Sequence, residues 1–440
     1  MKKSLRGAII LFVLLLVYCT LSLLNTFFLK RDTPSYLPIH ELKQRDDIDA
    51  VVIGSSVIRN GINPKIMTDK TGLTFFNLGI PGMRVPSVET FVRFAEKNSH
   101  PKYFLLALER DLVGVESIQD YNLHKRIWPH FDSLWDRFIY YLNISWRNGL
   151  WIENALVFKS DPVKTWEDMK KVLTIDQNST YYAEEVHAKN PQLQYEGDGF
   201  LRALVYEDGN KKLAYEYYAW NGASYPGIPD KQVRWLVELR DTCRKLNAEL
   251  IVIIPPTHSI ITFSQLPNME FTEEAQRICQ EYDIPFWDFT RMKRSLWPDL
   301  DSYFYDVGHL SGDGADCFSD AFGSFFSDYL NGQDVSDRFY DSWESCLEEV
   351  SLVNAYMDFW YDDDGMVHAY ADYIGGPSVE PSFCFTLIRD EHEDILQEFT
   401  RYKQELILDP TLVQGETICV YVRDDTHPER PPVQFISECP

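Results

Sequence analysis

The hydrophobic pattern divides the chain into four stretches of different character. From Gly7 to Leu29 no charged residue occurs, a run long enough to cross a bilayer as one helix. Residues 30–48 are polar and predict a linker. After them, short apolar runs alternate with amphipathic segments. Ala50 to Ile53, "GLTFFNLGIPGM", Tyr103 to Leu108 in "PKYFLLALERDL", "LIVIIPPTH" and "IPFWDFT" predict strands buried on both faces of a parallel sheet. Between them "VPSVETFVRFAEKN", "KQVRWLVELRDTCRKLNAEL", "TEEAQRICQEY" and "SGDGADCFSDAFGSFFSDYL" carry helical spacing. Trp235, Leu236, Leu239, Cys243 and Leu246 share one face, as do Ala315, Phe318, Phe322, Phe325 and Tyr329. Strand, helix, strand at this spacing implies right-handed parallel crossovers. The fold class is therefore α/β over residues 49–332, built around a parallel sheet.

Between residues 113 and 229 that rhythm is lost. Trp128, Trp135, Trp146, Trp151, Trp166 and Trp220 fall here among many tyrosines, with helical patches such as "SLWDRFIYYL". A stretch this long predicts an ordered insertion rather than a loop. Leaving the sheet at its C-terminal edge, it would lie over that edge as a lid, its aromatics stacking on sugar rings or forming the lid's own core. An acidic stretch from Asp334 to Glu349 then leads into "PSFCFTLIRD", "QELILDP" and "ETICVYVRDD", which alternate with a period of two. They predict a small antiparallel β-sandwich over residues 350–440, weakly similar to bacterial immunoglobulin-like modules.

Charge narrows the functional classes. The 440 residues carry 42 basic and 67 acidic side chains, a formal charge of −25. Nucleic acid is disfavoured as a partner, because the cationic surface that neutralises phosphates has no source. Lys2, Lys3 and Arg6 precede the apolar run and favour a cytoplasmic N-terminus. The run is long for a cleaved signal and ends in no small-x-small site, so the expectation is a single-pass anchor with the rest of the chain outside the cytoplasm. Outside the apolar run, which holds Cys19, seven cysteines have no C-x-x-C pair, which argues against zinc and thioredoxin-like chemistry. Cys243, Cys279 and Cys317 fall in helical patterns and are expected as buried small hydrophobes. Pairing among Cys346, Cys384, Cys419 and Cys439 is left open.

The candidate chemistry lies where the apolar runs end. "DAVVIGSSVIRNGINP" puts Ser55 and Ser56 just past Gly54, at the sheet edge where open α/β folds place ligands. Alone, such serines read as turn or cap residues. "YFYDVGHLSGDGAD" supplies Asp306 and His309 three residues apart, just before the last α/β helix. A nucleophilic serine needs an imidazole to take its proton and an acceptor to fix the imidazole tautomer. His258, in "PPTH", also ends a strand and is a lesser candidate for base or substrate contact. No cluster has metal-ligand spacing, and no cofactor is implied.

The ordered set G-S-S, then N-L-G-x-x-G, then D-x-x-H-L-S before a helix resembles the SGNH (GDSL-type) hydrolase superfamily over about residues 45–330. Closest is its membrane-anchored extracytoplasmic branch, which includes the teichoic-acid D-alanyl transfer protein and alginate O-acetylation proteins. The resemblance implies a flavodoxin-like three-layer fold, Ser56 as nucleophile, His309 as base, Asp306 as its orienting acid, and Gly82 N–H with Ser56 N–H as oxyanion donors. Asn77 is taken as structural. The family's third motif supplies an asparagine donor, but "LALERDL" has none here. Asp111 is the nearest equivalent, and an ionised carboxylate donates no hydrogen bond. The activity implied is a serine esterase or O-acyltransferase acting on a cell-surface polysaccharide or other acylated envelope polymer. A membrane-bound O-acyltransferase is its implied partner. A non-catalytic envelope assembly or binding protein and a lysophospholipase-like lipid esterase are the alternatives.

Overall fold

The computed structural model describes residues 2–28, 36–109 except 84, 127–148 except 132, and short pieces between 155 and 189. It further describes residues 190–204 and 225–439, except 265, 299, 307, 351, 390 and 391. Strands are numbered along the chain: β1 (Ala50–Gly54), β2 (Phe75–Gly79), β3 (Tyr103–Ala107), β4 (Leu193–Gly197), β5 (Phe200–Ala203), β6 (Glu249–Ile254), β7 (Phe286–Asp288), β8 (Phe304–Asp306) and β9 (His309–Leu310). The central sheet has the order β2-β1-β3-β6-β7, and every pair is parallel. Counted along the sheet's own strands this is 2-1-3-4-5, the flavodoxin-like order, in which the order of strand addition reverses between the first and third strands.

Alternation along each strand builds a core on either face. Val51, Ile53, Phe76, Leu78, Phe104, Leu106 and Val252 point to one side, against Phe91 and Val92, Leu236 and Leu239, and Ile278 and Cys279. These residues come from the helices Val85–Glu96, Asp230–Lys245 and Leu266–Glu281. Ala50, Val52, Phe75, Leu105, Ala107, Ile251 and Ile253 point to the other side, against Ile58, Met67, Phe318, Phe322 and Phe326. Those come from the helices Ser56–Gly61, Pro64–Thr71 and Gly312–Leu330. Each fully buried phenylalanine contributes about 1.5–3 kcal/mol relative to exposure, so the Gly312–Leu330 helix is strongly held to its face.

Two antiparallel sheets follow. β10 (Asn354–Tyr361), β11 (Val367–Ile374) and β14 (Glu405–Leu408) form one. β13 (His392–Arg401), β12 (Pro381–Arg389), β15 (Thr417–Asp424) and β16 (Val433–Glu438) form the other. Ala355, Met357, Val367, Phe383, Phe385, Val420 and Val422 share one core between them.

Two expectations are corrected. The stretch read as a polar linker holds a helix, Tyr36–Leu42, whose Leu37, Ile39 and Leu42 are buried. Ile39 and Leu42 join the sheet core, so chain segments N-terminal to β1 are part of the folded unit. Cys317 is half-buried rather than core, although Cys243 and Cys279 are buried. All eight cysteines are free thiols, including the four C-terminal ones.

Most of the 113–229 insertion lies outside the described residues. Trp128 packs into the sheet core with Ile127 and Phe131, whereas Trp135 and Trp166 are exposed. The hairpin β4–β5 lies along the open edge of the sheet, where the Asn77 N–H donates to the Asp198 carbonyl (2.8 Å). An edge strand otherwise presents unpaired donors to solvent, and covering it blocks pairing with another chain. At the N-terminus, Leu5–Phe28 is one helix long and apolar enough to cross a membrane, a description that a signal sequence also meets.

Candidate active site

The order of the sheet determines where chemistry can gather. β1 and β3 are neighbours, and the described residues that follow them, Ile58 and Ile127, pack on opposite faces of the sheet, which leaves a crevice at the strands' C-terminal ends. Ser55 and Ser56 leave β1 there. Ser55 keeps an extended backbone and caps the helix Ser56–Gly61, its Oγ accepting the Val57 N–H at 3.2 Å. Ser56 therefore stands in the first turn of that helix, half-buried at the sheet edge.

β2 ends beside it. The Ile80 N–H donates to the Gly54 carbonyl (2.9 Å), and the Met83 N–H closes a turn on the Ile80 carbonyl (3.0 Å). Pro81 and Gly82 are the central residues, with Gly82 at φ +71°. This is the type II pattern, in which the third residue needs a positive φ and so favours glycine. Gly79 allows the close approach of the serine helix: a Cβ there would lie 2.3 Å from the backbone nitrogen of Arg59.

Asp306 and His309 arrive from the far end of the domain on a two-stranded antiparallel ribbon, β8 and β9, in which they are register partners. Gly308 N–H donates to Asp306 Oδ1 at 2.9 Å. His309 Nδ1 lies 2.8 Å from Asp306 Oδ1 and 3.0 Å from Oδ2. The other ring nitrogen, Nε2, lies 2.8 Å from Ser56 Oγ. With Asp306 ionised, Nδ1 carries the proton as donor, which leaves Nε2 to accept from the serine hydroxyl. Burial alone would raise the Asp306 pKa. Hydrogen bonding and charge from His309, with the Gly308 and His309 N–H groups, outweigh it and hold the carboxyl below its ordinary value.

The remaining sequence candidates fall as follows. Asn77 is fully buried; its Nδ2 donates to the Ile58 and Ile62 carbonyls (both 2.7 Å) and its Oδ1 accepts the Gly79 N–H at 2.9 Å. It ties β2 to the serine helix, and both of its amide hydrogens are used, so it has no donor left for a ligand. His258 follows β6, and its ring meets Phe304 edge to face at 4.9 Å. It thus packs on the ribbon that carries Asp306, while Ser56 is bonded to His309. Asp111 lies outside the described residues. Among the described residues, no group of three His, Cys, Asp or Glu side chains is placed to hold a metal ion.

Sequence reasoning missed Glu109. It leaves β3 at the same crevice, and Ser55 Oγ donates to its Oε2 at 2.6 Å while the Ser55 N–H reaches Oε1 at 3.3 Å. A glutamate just past a strand reads as solvated, and only its place two residues beyond Ala107 hinted otherwise. The β4–β5 hairpin also borders the site. Tyr305, next to Asp306, donates its hydroxyl to Gln192. Arg202 pairs with Asp316 in the helix after His309 at 2.7 Å.

No protein-family model matches the chain, and no curated protein matches it. Among solved structures, it is similar to a Bacteroides fragilis protein described as a candidate acylhydrolase, at 9% identity and a TM-score of 0.31. That likeness covers 66% of this chain and 93% of the other. An endo-β-1,4-mannanase from Thermotoga petrophila overlaps at 10% identity and a TM-score of 0.15, over 93% of this chain and 94% of its own. Likenesses this distant carry no argument about fold or activity. The functional reading rests on the chain's own geometry.

Proposed function

We propose that the chain is a serine esterase or O-acyltransferase of the SGNH type, anchored by its N-terminal helix and facing outside the cytoplasm. The single observation that carries this reading is the hydrogen-bonded line from Ser56 through His309 to Asp306, with distances of 2.8 Å at both links. Ser56 Oγ attacks the carbonyl carbon of a carboxylic ester as His309 Nε2 takes its proton. Asp306 holds the ring and stabilises the imidazolium. The negative charge on the former carbonyl oxygen is met by the Ser56 and Gly82 N–H groups, each such donor contributing roughly 3 kcal/mol in comparable sites. His309 then returns the proton to the departing alcohol oxygen, and the acyl group is left on Ser56. Water or a glycan hydroxyl, deprotonated by His309, attacks that ester and regenerates the serine. The acceptor is a hydroxyl on a cell-surface polysaccharide, and a membrane-bound O-acyltransferase is the partner that would deliver the acyl group.

A second reading draws on Glu109. A carboxylate bonded to the residue before Ser56 adds negative charge beside a centre where negative charge would develop. That favours a non-catalytic envelope-binding protein that keeps the same architecture.

Turnover of a short-chain acetate ester by the full chain in detergent separates the two. Ser56→Ala and His309→Ala are each expected to lower kcat by on the order of 10³-fold or more, and the double variant to cost little beyond either. Equal turnover by the wild type and by folded Ser56→Ala would favour the binding protein.

A further inference from the structure

The helix Leu134–Asn148 rests on the distal half of the N-terminal helix. The Tyr18 hydroxyl donates to the Leu134 carbonyl at 2.6 Å, and the Tyr18 and Phe138 rings meet edge to face at 5.0 Å. Arg137 Nη1 donates to the Thr26 hydroxyl at 2.6 Å, and its Nε to the Phe131 carbonyl at 3.1 Å. One face of the helix is accounted for: Tyr140 is buried against Phe131 within the sheet core. Among the described residues the opposite face carries exposed apolar side chains. Leu134, Trp135 and Ile139 are 50%, 67% and 38% exposed. Trp135 and Ile139 lie one helical turn apart and so share a face.

The level of this face follows from the anchor. At 1.5 Å per residue, Leu5–Phe28 spans about 36 Å, against roughly 30 Å of hydrocarbon in a bilayer. Thr26 then lies near the outer boundary, and Tyr18 about 12 Å further in. The contacts to Thr26 and Tyr18 therefore bring the start of the second helix to the outer leaflet. An exposed tryptophan with aliphatic neighbours is the composition that settles at the boundary of headgroups and acyl chains. Asp136, exposed in the same turn, opposes burial to the full depth of Tyr18, because a carboxylate is costly in hydrocarbon.

We propose that the Leu134–Asn148 helix is a second membrane attachment, which inserts Leu134, Trp135 and Ile139 into the outer phospholipid interface. The inference rests on reading Leu5–Phe28 as a membrane anchor. Two attachments fix the tilt of the α/β domain on the bilayer, whereas one helix and a linker would leave it free to swing.

The test places a photo-activatable diazirine amino acid at Leu14, Trp135, Ile139 or Trp360 in the full chain, reconstituted in nanodiscs of phosphatidylcholine and phosphatidylglycerol. Leu14 lies in the apolar run, and Trp360 is an exposed tryptophan on β10. After irradiation, mass spectrometry is expected to find phospholipid adducts at positions 14, 135 and 139 and none at 360. Adducts at 14 but not at 135 or 139, or adducts there to a second copy of the chain instead of lipid, would overturn the proposal. No lipid adduct at 14 would refute the anchor reading, and the inference with it.

Discussion

Ser55 Oγ donates a 2.6 Å hydrogen bond to Glu109 Oε2, which joins the C-terminal ends of β1 and β3 across the point where the sheet's connections diverge. Ser55 also caps the helix that begins with Ser56. Glu109 thus acts on the position of Ser56 through the backbone turn before it. Glu109→Ala leaves two Ser55 donors without their acceptor and is expected to cost about 1–3 kcal/mol of stability, read from urea unfolding. Glu109→Gln keeps an acceptor for Ser55 and removes a negative charge, so it should unfold close to the wild type and lose no ester turnover.

Gly79 tests the packing of the serine helix. A Cβ at this position meets backbone atoms of Arg59, which no change of rotamer relieves. Gly79→Ala is expected to destabilise the protein by about 1–3 kcal/mol or more, as overpacking does. Thermal melting measures the loss, and kcat should fall with it because Ser56 rides on the same helix.

The Asp306 carboxyl sets a pH signature. Its folded-state pKa is lowered, so its stabilising contribution is present above the ordinary carboxylate value and lost as pH falls through the folded value. The difference in unfolding free energy between wild type and Asp306→Asn should therefore be constant near neutrality and shrink below about pH 4. Denaturation curves from pH 7 down to pH 3 give that difference directly. A difference that grows toward acid would contradict the assignment.

Much of this arrangement could be read from residue order. A short apolar strand ending in glycine and two serines, and an aspartate and histidine before the final helix, point to one edge because parallel strands all end there. Ser56, His309 and Asp306 are hydrogen-bonded in that order. Less legible were features that depend on tertiary contact. Glu109 has the composition of a solvated residue and gains its role only from lying opposite Ser55. The Tyr36–Leu42 helix is seven residues long, too short for a periodic signal, and forms because Ile39 and Leu42 complete the sheet core. The β4–β5 hairpin is tied down by Arg45 on Asp198 and by Asn60 Nδ2 on the Leu201 carbonyl (2.8 Å), partners far away in sequence.

The buried thiols give an independent check on the helical layers. Burial pushes Cys243 and Cys279 up to about 12, so almost no thiolate is present at neutral pH. Iodoacetamide at pH 8 should leave both unmodified in the native protein and alkylate both in urea, as peptide mapping would reveal. Rapid native labelling at Cys243 would contradict the packing of the Asp230–Lys245 helix on the sheet.

The most direct measurement is the covalent state of Ser56 after treatment of the full chain with a fluorophosphonate. An activated serine displaces fluoride and gains a phosphonyl group, whereas an ordinary hydroxyl does not react on that timescale. The account predicts one modified peptide, carrying the phosphonyl group on Ser56 rather than on Ser55, with labelling abolished in His309→Ala and strongly slowed in Asp306→Asn. An unlabelled Ser56 in folded wild-type protein, or labelling that persists without His309, would contradict it.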